Sequence, residues 1–163
     1  MKALIGKAAF TAVLALGAAG AASAGVTVNY VESDKFADLP FVPWERKEVL
    51  DELARYFAEL GKSLPAGQDL TVDVTDIDLA GREYPTSHGT RDLRVLQGGA
   101  DWPIIELRYT LSANGQVLDS GKARLSDMNY LNQINRLTDN DTLRYEKRMI
   151  EAWFNKTILH KPS

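Results

Sequence analysis

Apolar and polar side chains alternate from Val26 to Tyr30, with Val26, Val28 and Tyr30 on one side, and that period of two predicts a first strand. Beyond the Pro-containing stretch 38–43 the period changes. Val49, Leu50, Leu53, Phe57 and Leu60 recur every three or four places, one apolar stripe on a helix from about Trp44 to Leu60. Pro43 suits a first helical turn, Glu45 and Glu48 favour the positive helix end, and Gly61 is read as the stop. A second strand begins at Leu70, Val72 and Val74 and extends through Ile77 and Leu79, its apolar phase slipping between Val74 and Ile77. The stretch 81–102 reads as a long connection holding a short strand at Leu93 to Leu96.

The strongest hairpin signal runs from Ile104 to Leu125 and turns at Asn114-Gly115. A two-residue turn would set Leu107 opposite Lys122 and Ile105 opposite Arg124, mixing charge into the core face. A three-residue loop, Ala113 to Gly115, sets Leu111 opposite Val117 and Glu106 opposite Lys122, and is the expected register. After a polar connection with a short helical turn over 129–136, a last helix spans about Asp141 to Ile158. Thr138, Asp139 and Asp141 can cap it, and Leu143, Met149, Ile150, Trp153, Phe154 and Ile158 share one side. Glu146 is the polar intruder there, and Arg108, Arg124 or Tyr130 could partner it.

Two amphipathic helices need a common apolar surface. The expected fold class is therefore α+β, a single domain over 25–163. Its two helices pack on one face of a four- to five-stranded, mostly antiparallel sheet, in the order β-α-β-(β)-β-β-α.

The N-terminal segment stands outside this pattern. Lys2 and Lys7 flank a cationic start, an apolar run extends from Ala8 to Ala19, and Ala22-Ser23-Ala24 offers small residues before Gly25. This reads as a secretory signal peptide over 1–24, cleaved after Ala24, and its apolar run is too short for a membrane anchor. Its removal leaves 139 of the 163 residues, with 17 basic and 22 acidic side chains, a net −5 by count. That balance carries no electrostatic footprint for nucleic acid. The chain has no cysteine, which excludes disulfides, a catalytic thiol and thiolate metal sites, and favours a bacterial periplasm.

Candidate chemistry falls in two places. Asp73, Asp76 and Asp78 lie on the second strand, and in an unbroken strand Asp76 and Asp78 would sit about 7 Å apart on one face. A β-bulge that restores the apolar phase is the structural alternative, with both acids in solvent. The connection then gathers Arg82, Ser87, His88 and Arg91, and His88 is the only histidine besides His160. The candidate binding patch is thus Asp76, Asp78, Arg82, His88 and Arg91. A Ser–His–acid set from Ser87 or Ser126 with His88 lacks a supporting motif, and no spacing marks a metal site. No catalytic residue, metal or cofactor is assigned. Trp44, Trp102 and Trp153 stand where packing explains them better than carbohydrate binding.

Three phrases, residues 72–81, 104–109 and 145–154, together with the leader and the missing cysteine, carry a resemblance. The chain resembles a proteobacterial family of small secreted proteins catalogued as domain of unknown function number three-zero-one-six. The resemblance spans the whole mature chain and implies periplasmic residence, with no reaction or cofactor. The expected function is a non-enzymatic periplasmic binding or assembly-accessory module whose partner is another envelope protein. The alternatives are a hydrolase or metal-dependent enzyme around Asp76, Asp78 and His88, and a small-ligand-binding protein.

Overall fold

A computed structural model of the chain describes residues 24–84, 93–134, 137 and 141–161. In chain order the elements are β1 (Gly25–Tyr30), α1 (Pro43–Gly61), β2 (Gln68–Asp78), β3 (Arg82–Tyr84), β4 (Leu93–Val95), β5 (Ile104–Ala113), β6 (Gln116–Ser126) and α2 (Arg144–Trp153). A π-helical turn, Phe154–Ile158, continues α2. The main sheet has four strands in the order β1-β2-β5-β6. β1 runs parallel to β2 and the other pairs are antiparallel, because α1 carries the chain back between the first two strands. The short strand expected near Leu93 does not join this sheet and pairs with β3 as a separate two-stranded unit.

The apolar alternation of β2 works as a device. Leu70, Val72 and Val74 face the helices, the register shifts between Val74 and Asp76, and Ile77 and Leu79 return to the buried side. The phase slip in the sequence is therefore a bulge at Thr75. Leu53 and Phe57 of α1 and Ile150 and Phe154 of α2 and its extension close the layer, with Phe57 and Tyr109 set edge-on to Trp153. A second cluster joins Ala80, Tyr130 and Tyr145, flanked by Leu96 and Trp102. Burial, then a hydrogen bond donated to Asp101, pushes the Tyr130 phenol up to about 12. Trp153 and Trp102 thus pack as expected, whereas Trp44 stays half-exposed at the start of α1.

Three local expectations are corrected. Asn114 and Gly115 both take positive φ (50° and 78°), so the hairpin uses a two-residue turn and not the three-residue loop. The mixed face this would produce is avoided by a second bulge. The register shifts between Leu111 and Ser112, leaving Leu118 as the extra residue, so that Leu107 faces Ala123 and Glu106 faces Arg124 at 3.1 Å. Gly61 is not a left-handed stop. It is the last helical residue, where a Cβ would lie 2.3 Å from Val26 Cγ2, and α1 ends by tightening, Lys62 N–H bonding Glu59 O. The partner of Glu146 is no side chain: its Oε1 accepts from Ala80 N–H at 2.8 Å.

Asp141 does not cap α2: the N-cap is Leu143, with no side-chain cap, and Asp141 accepts from Leu143 N–H at 3.0 Å just ahead of the helix, while Thr138 and Asp139 lie outside the described residues. Asp141 also accepts from Lys147, whose ammonium sits 2.6 Å from Asp141 and 2.5 Å from Glu52 of α1. Burial pulls the Lys147 pKa down, but the hydrogen bonds to Asp141 and Glu52 outweigh it and hold it above the ordinary value. Lys147→Met leaves two carboxylates facing each other and is expected to lower stability by about 2 kcal/mol, less than for a fully enclosed pair because Glu52 is partly solvated. Urea unfolding checks this, and an unchanged midpoint would remove the ion pair from the account of helix docking.

Candidate functional site

Of the patch expected from sequence, Asp76 and Asp78 lie at the far end of β2, Arg82 is exposed on β3, and His88 and Arg91 lie outside the described residues, as does Ser87. The bulge leaves both acids half-buried on the side away from the helices. Asp76 accepts from Ala37 N–H at 2.8 Å, and Asp73, further back, accepts from Asn29 Nδ2 at 2.8 Å. Asp78 pairs by a backbone bridge with Asp38. Burial first, then the charges of Asp38 and Asp76, raises its carboxyl pKa against the pull of Arg94 and Arg124. Arg94 in turn holds Asp38 at 2.6 Å. These side chains are engaged with one another and with backbone. Among the described residues no three His, Cys, Asp or Glu side chains converge to hold a metal ion.

A concavity lies beside β6. β6 is the last strand of the main sheet, and no described strand pairs with its outer side. It is eleven residues long and almost wholly accessible, with Leu125 its one buried residue. Between β6 and α2 runs a groove of about 1030 Å³, walled by Ala123 and Leu125 on the strand and by Met149, Ala152 and Trp153 on the helix. Ala123 and Ala152 line it with small side chains, beside the places where α2 packs on β6. Trp153 Nε1 is buried on this wall without a hydrogen-bond acceptor.

One end of the groove is braced. Arg148 donates to Asp127 Oδ2 at 2.6 Å, to Tyr130 O at 2.9 Å and to Gln133 O at 3.2 Å, tying the segment after β6 to α2. Just outside this end Met128, Leu131 and Ile134 expose 72 %, 42 % and 92 % of their surface, and Val117 and Leu118 at the hairpin tip expose 64 % and 54 %. Apolar side chains therefore sit in solvent at both ends of an edge strand, a combination that marks interaction surfaces.

Sequence reasoning assigned no role to this site. Its signals were present as small residues, Gly121 and Ala123 on the inner side of the last strand and Ala152 outside the apolar stripe of α2. Only their juxtaposition makes a groove of them.

Fold and groove define the class: a two-layer α+β domain whose sheet ends in an accessible strand beside a helix. The chain belongs to the family described as a protein of unknown function (DUF3016), whose model matches residues 24–156. That is the family its sequence phrases resemble. No curated protein and no solved structure matches the chain.

Proposed function

We propose that this chain is a non-enzymatic binding module of the periplasm that receives an extended segment of a partner protein along β6. The observation that carries this reading is the outer edge of the eleven-residue β6, which no described strand pairs, beside a groove of about 1030 Å³. A strand added there takes up the outward N–H and C=O groups of β6 other than Ser120 N–H, which Asp119 Oδ1 holds at 2.8 Å, and its alternate side chains drop between β6 and α2. Main-chain bonds supply affinity and the groove supplies selection. The small-ligand reading has less behind it. Leu53, Phe57, Leu70, Val72, Ile150 and Phe154 fill the space between helices and sheet at 1 % exposure or less.

Secretion belongs to the same proposal. β1 opens at Gly25, directly after the expected cleavage at Ala24, so removing 1–24 takes nothing from the sheet. No described helix is long and apolar enough to cross a membrane. The chain recovered from the envelope fraction is expected to begin at Gly25 by mass spectrometry. Recovery of the full 163-residue chain in the cytoplasm would refute the localisation.

The site is tested by a photocrosslinking side chain placed at exposed Ser120 of β6, with a second placed at exposed Glu48 of α1 as control. A partner captured from Ser120 and not from Glu48 is expected, and Ala152→Trp, which fills the groove, should abolish the capture. Equal capture from both positions, or capture indifferent to Ala152→Trp, would sink the proposal.

A further inference from the structure

We infer that the segment received by β6 is acidic, with carboxylate side chains alternating with small or apolar ones; this rests on the strand-addition reading above. The mature chain is acidic overall by count, yet the cations around β6 stand out from that background. Arg108 and Lys122 face each other across β5 and β6 on the open side of the sheet, and Lys156 and Lys161 line the groove at the end away from Asp127. None of the four has an ion-pair partner among the described residues. The acids nearby are already engaged. Glu106 holds Arg124, Asp127 holds Arg148, and Glu151 accepts from the Tyr56 hydroxyl at 3.3 Å; Asp73, opposite Arg108 on β2, accepts from Asn29, and Asp119 of β6 accepts from the Tyr109 hydroxyl and Ser120 N–H.

An extended segment beside β6 presents its side chains alternately to two sides. One set meets the small, largely apolar walls formed by Ala123, Leu125, Ala152 and Trp153, which suits Ala or Val. The other set lies over the open face beside Lys122 and Arg124, where a carboxylate meets positive charge. Lys156 and Lys161 add positive charge along the groove itself. A second copy of this chain fits less well. The fullest antiparallel overlap of two β6 strands, centred on Gly121, sets Lys122 diagonally across from its own copy, and like charges so placed repel. The same lysine that discourages self-pairing attracts an acidic strand.

The test uses the full chain and three fluorescent decapeptides, alternating Glu with Val, Gln with Val and Lys with Val, read by anisotropy at low salt. The Glu–Val peptide is expected to bind about tenfold more tightly than the Gln–Val peptide, and the Lys–Val peptide not measurably. Raising salt should erase the difference between the first two. Lys122→Glu with Lys156→Glu, both at exposed positions, should keep the native circular dichroism spectrum and reverse the preference toward Lys–Val. Equal binding of Glu–Val and Gln–Val, with both lost on Ala152→Trp, would overturn the acidic assignment and leave strand addition standing. Binding of no peptide would overturn both, and a dimer in sedimentation would then assign the edge to a second copy.

Discussion

Glu146→Leu is expected to lower stability by about 1–3 kcal/mol at acidic pH, the cost of a buried N–H left without an acceptor, and by less as pH rises. The reason lies in where this carboxyl sits. Glu146 is 1 % exposed on the inner side of α2, its Oε1 accepts from Ala80 N–H, and its Oε2 has no partner. Burial raises its pKa, and the Ala80 amide, its own amide and Arg94 lower it without prevailing. An unfolded glutamate titrates near about 4.3. Between that value and the raised folded value, the folded chain keeps a proton that the unfolded chain has lost. Stability contributed at this site is therefore full below the unfolded pKa and declines as pH climbs through the window.

Glu146→Gln keeps an acceptor for Ala80 N–H and does not titrate. It should match the wild type in acid and overtake it toward neutral pH. Urea midpoints measured from about pH 4 to about pH 8 decide the matter. A constant difference between wild type and Glu146→Gln across that range would show that Glu146 titrates in the folded chain as it does unfolded, contrary to the raised pKa.

Gly61→Val should lower stability by about 2–3 kcal/mol by forcing α1 away from β1. A Cβ at position 61 would stand 2.3 Å from Val26 Cγ2 and 3.3 Å from Val26 Cβ, closer than packed carbons approach. The contact matters because Tyr30 of β1 also donates its hydroxyl to Leu50 O at 2.6 Å, so α1 is held to that strand at two places. Since the closest clash is with a side chain, Val26→Ala should recover much of the loss in the milder Gly61→Ala variant. The two changes would then be non-additive in a double-mutant cycle. Simple additivity would place the role of Gly61 in helix propensity instead.

Much of the architecture was legible from residue periodicity. The stripe of Leu53, Phe57 and Leu60 marked α1, the stripe through Ile150 and Phe154 marked α2, and both turn the expected sides inward. The break between Val74 and Ile77 was readable as a bulge because burial demands that a strand restore its phase. The hairpin shows the limit of the same logic. Sequence identified the turn at Asn114-Gly115 and the need for an apolar inner face. It could not say that a bulge at Leu118, and not a longer loop, would meet that need.

What the sequence by itself determined is the two helices and the four strands of the main sheet, the side of each that is buried and the α+β class, because these follow from local periodicity and the cost of exposing apolar stripes. Tertiary structure alone decided that β1 runs parallel to β2, that β3 and β4 form their own sheet, and that Glu146 answers to a backbone amide 66 residues away. It also decided the candidate site. An accessible edge exists only once strand order places β6 last, and a groove exists only once Ala123 and Ala152, distant in sequence, come to line one concavity.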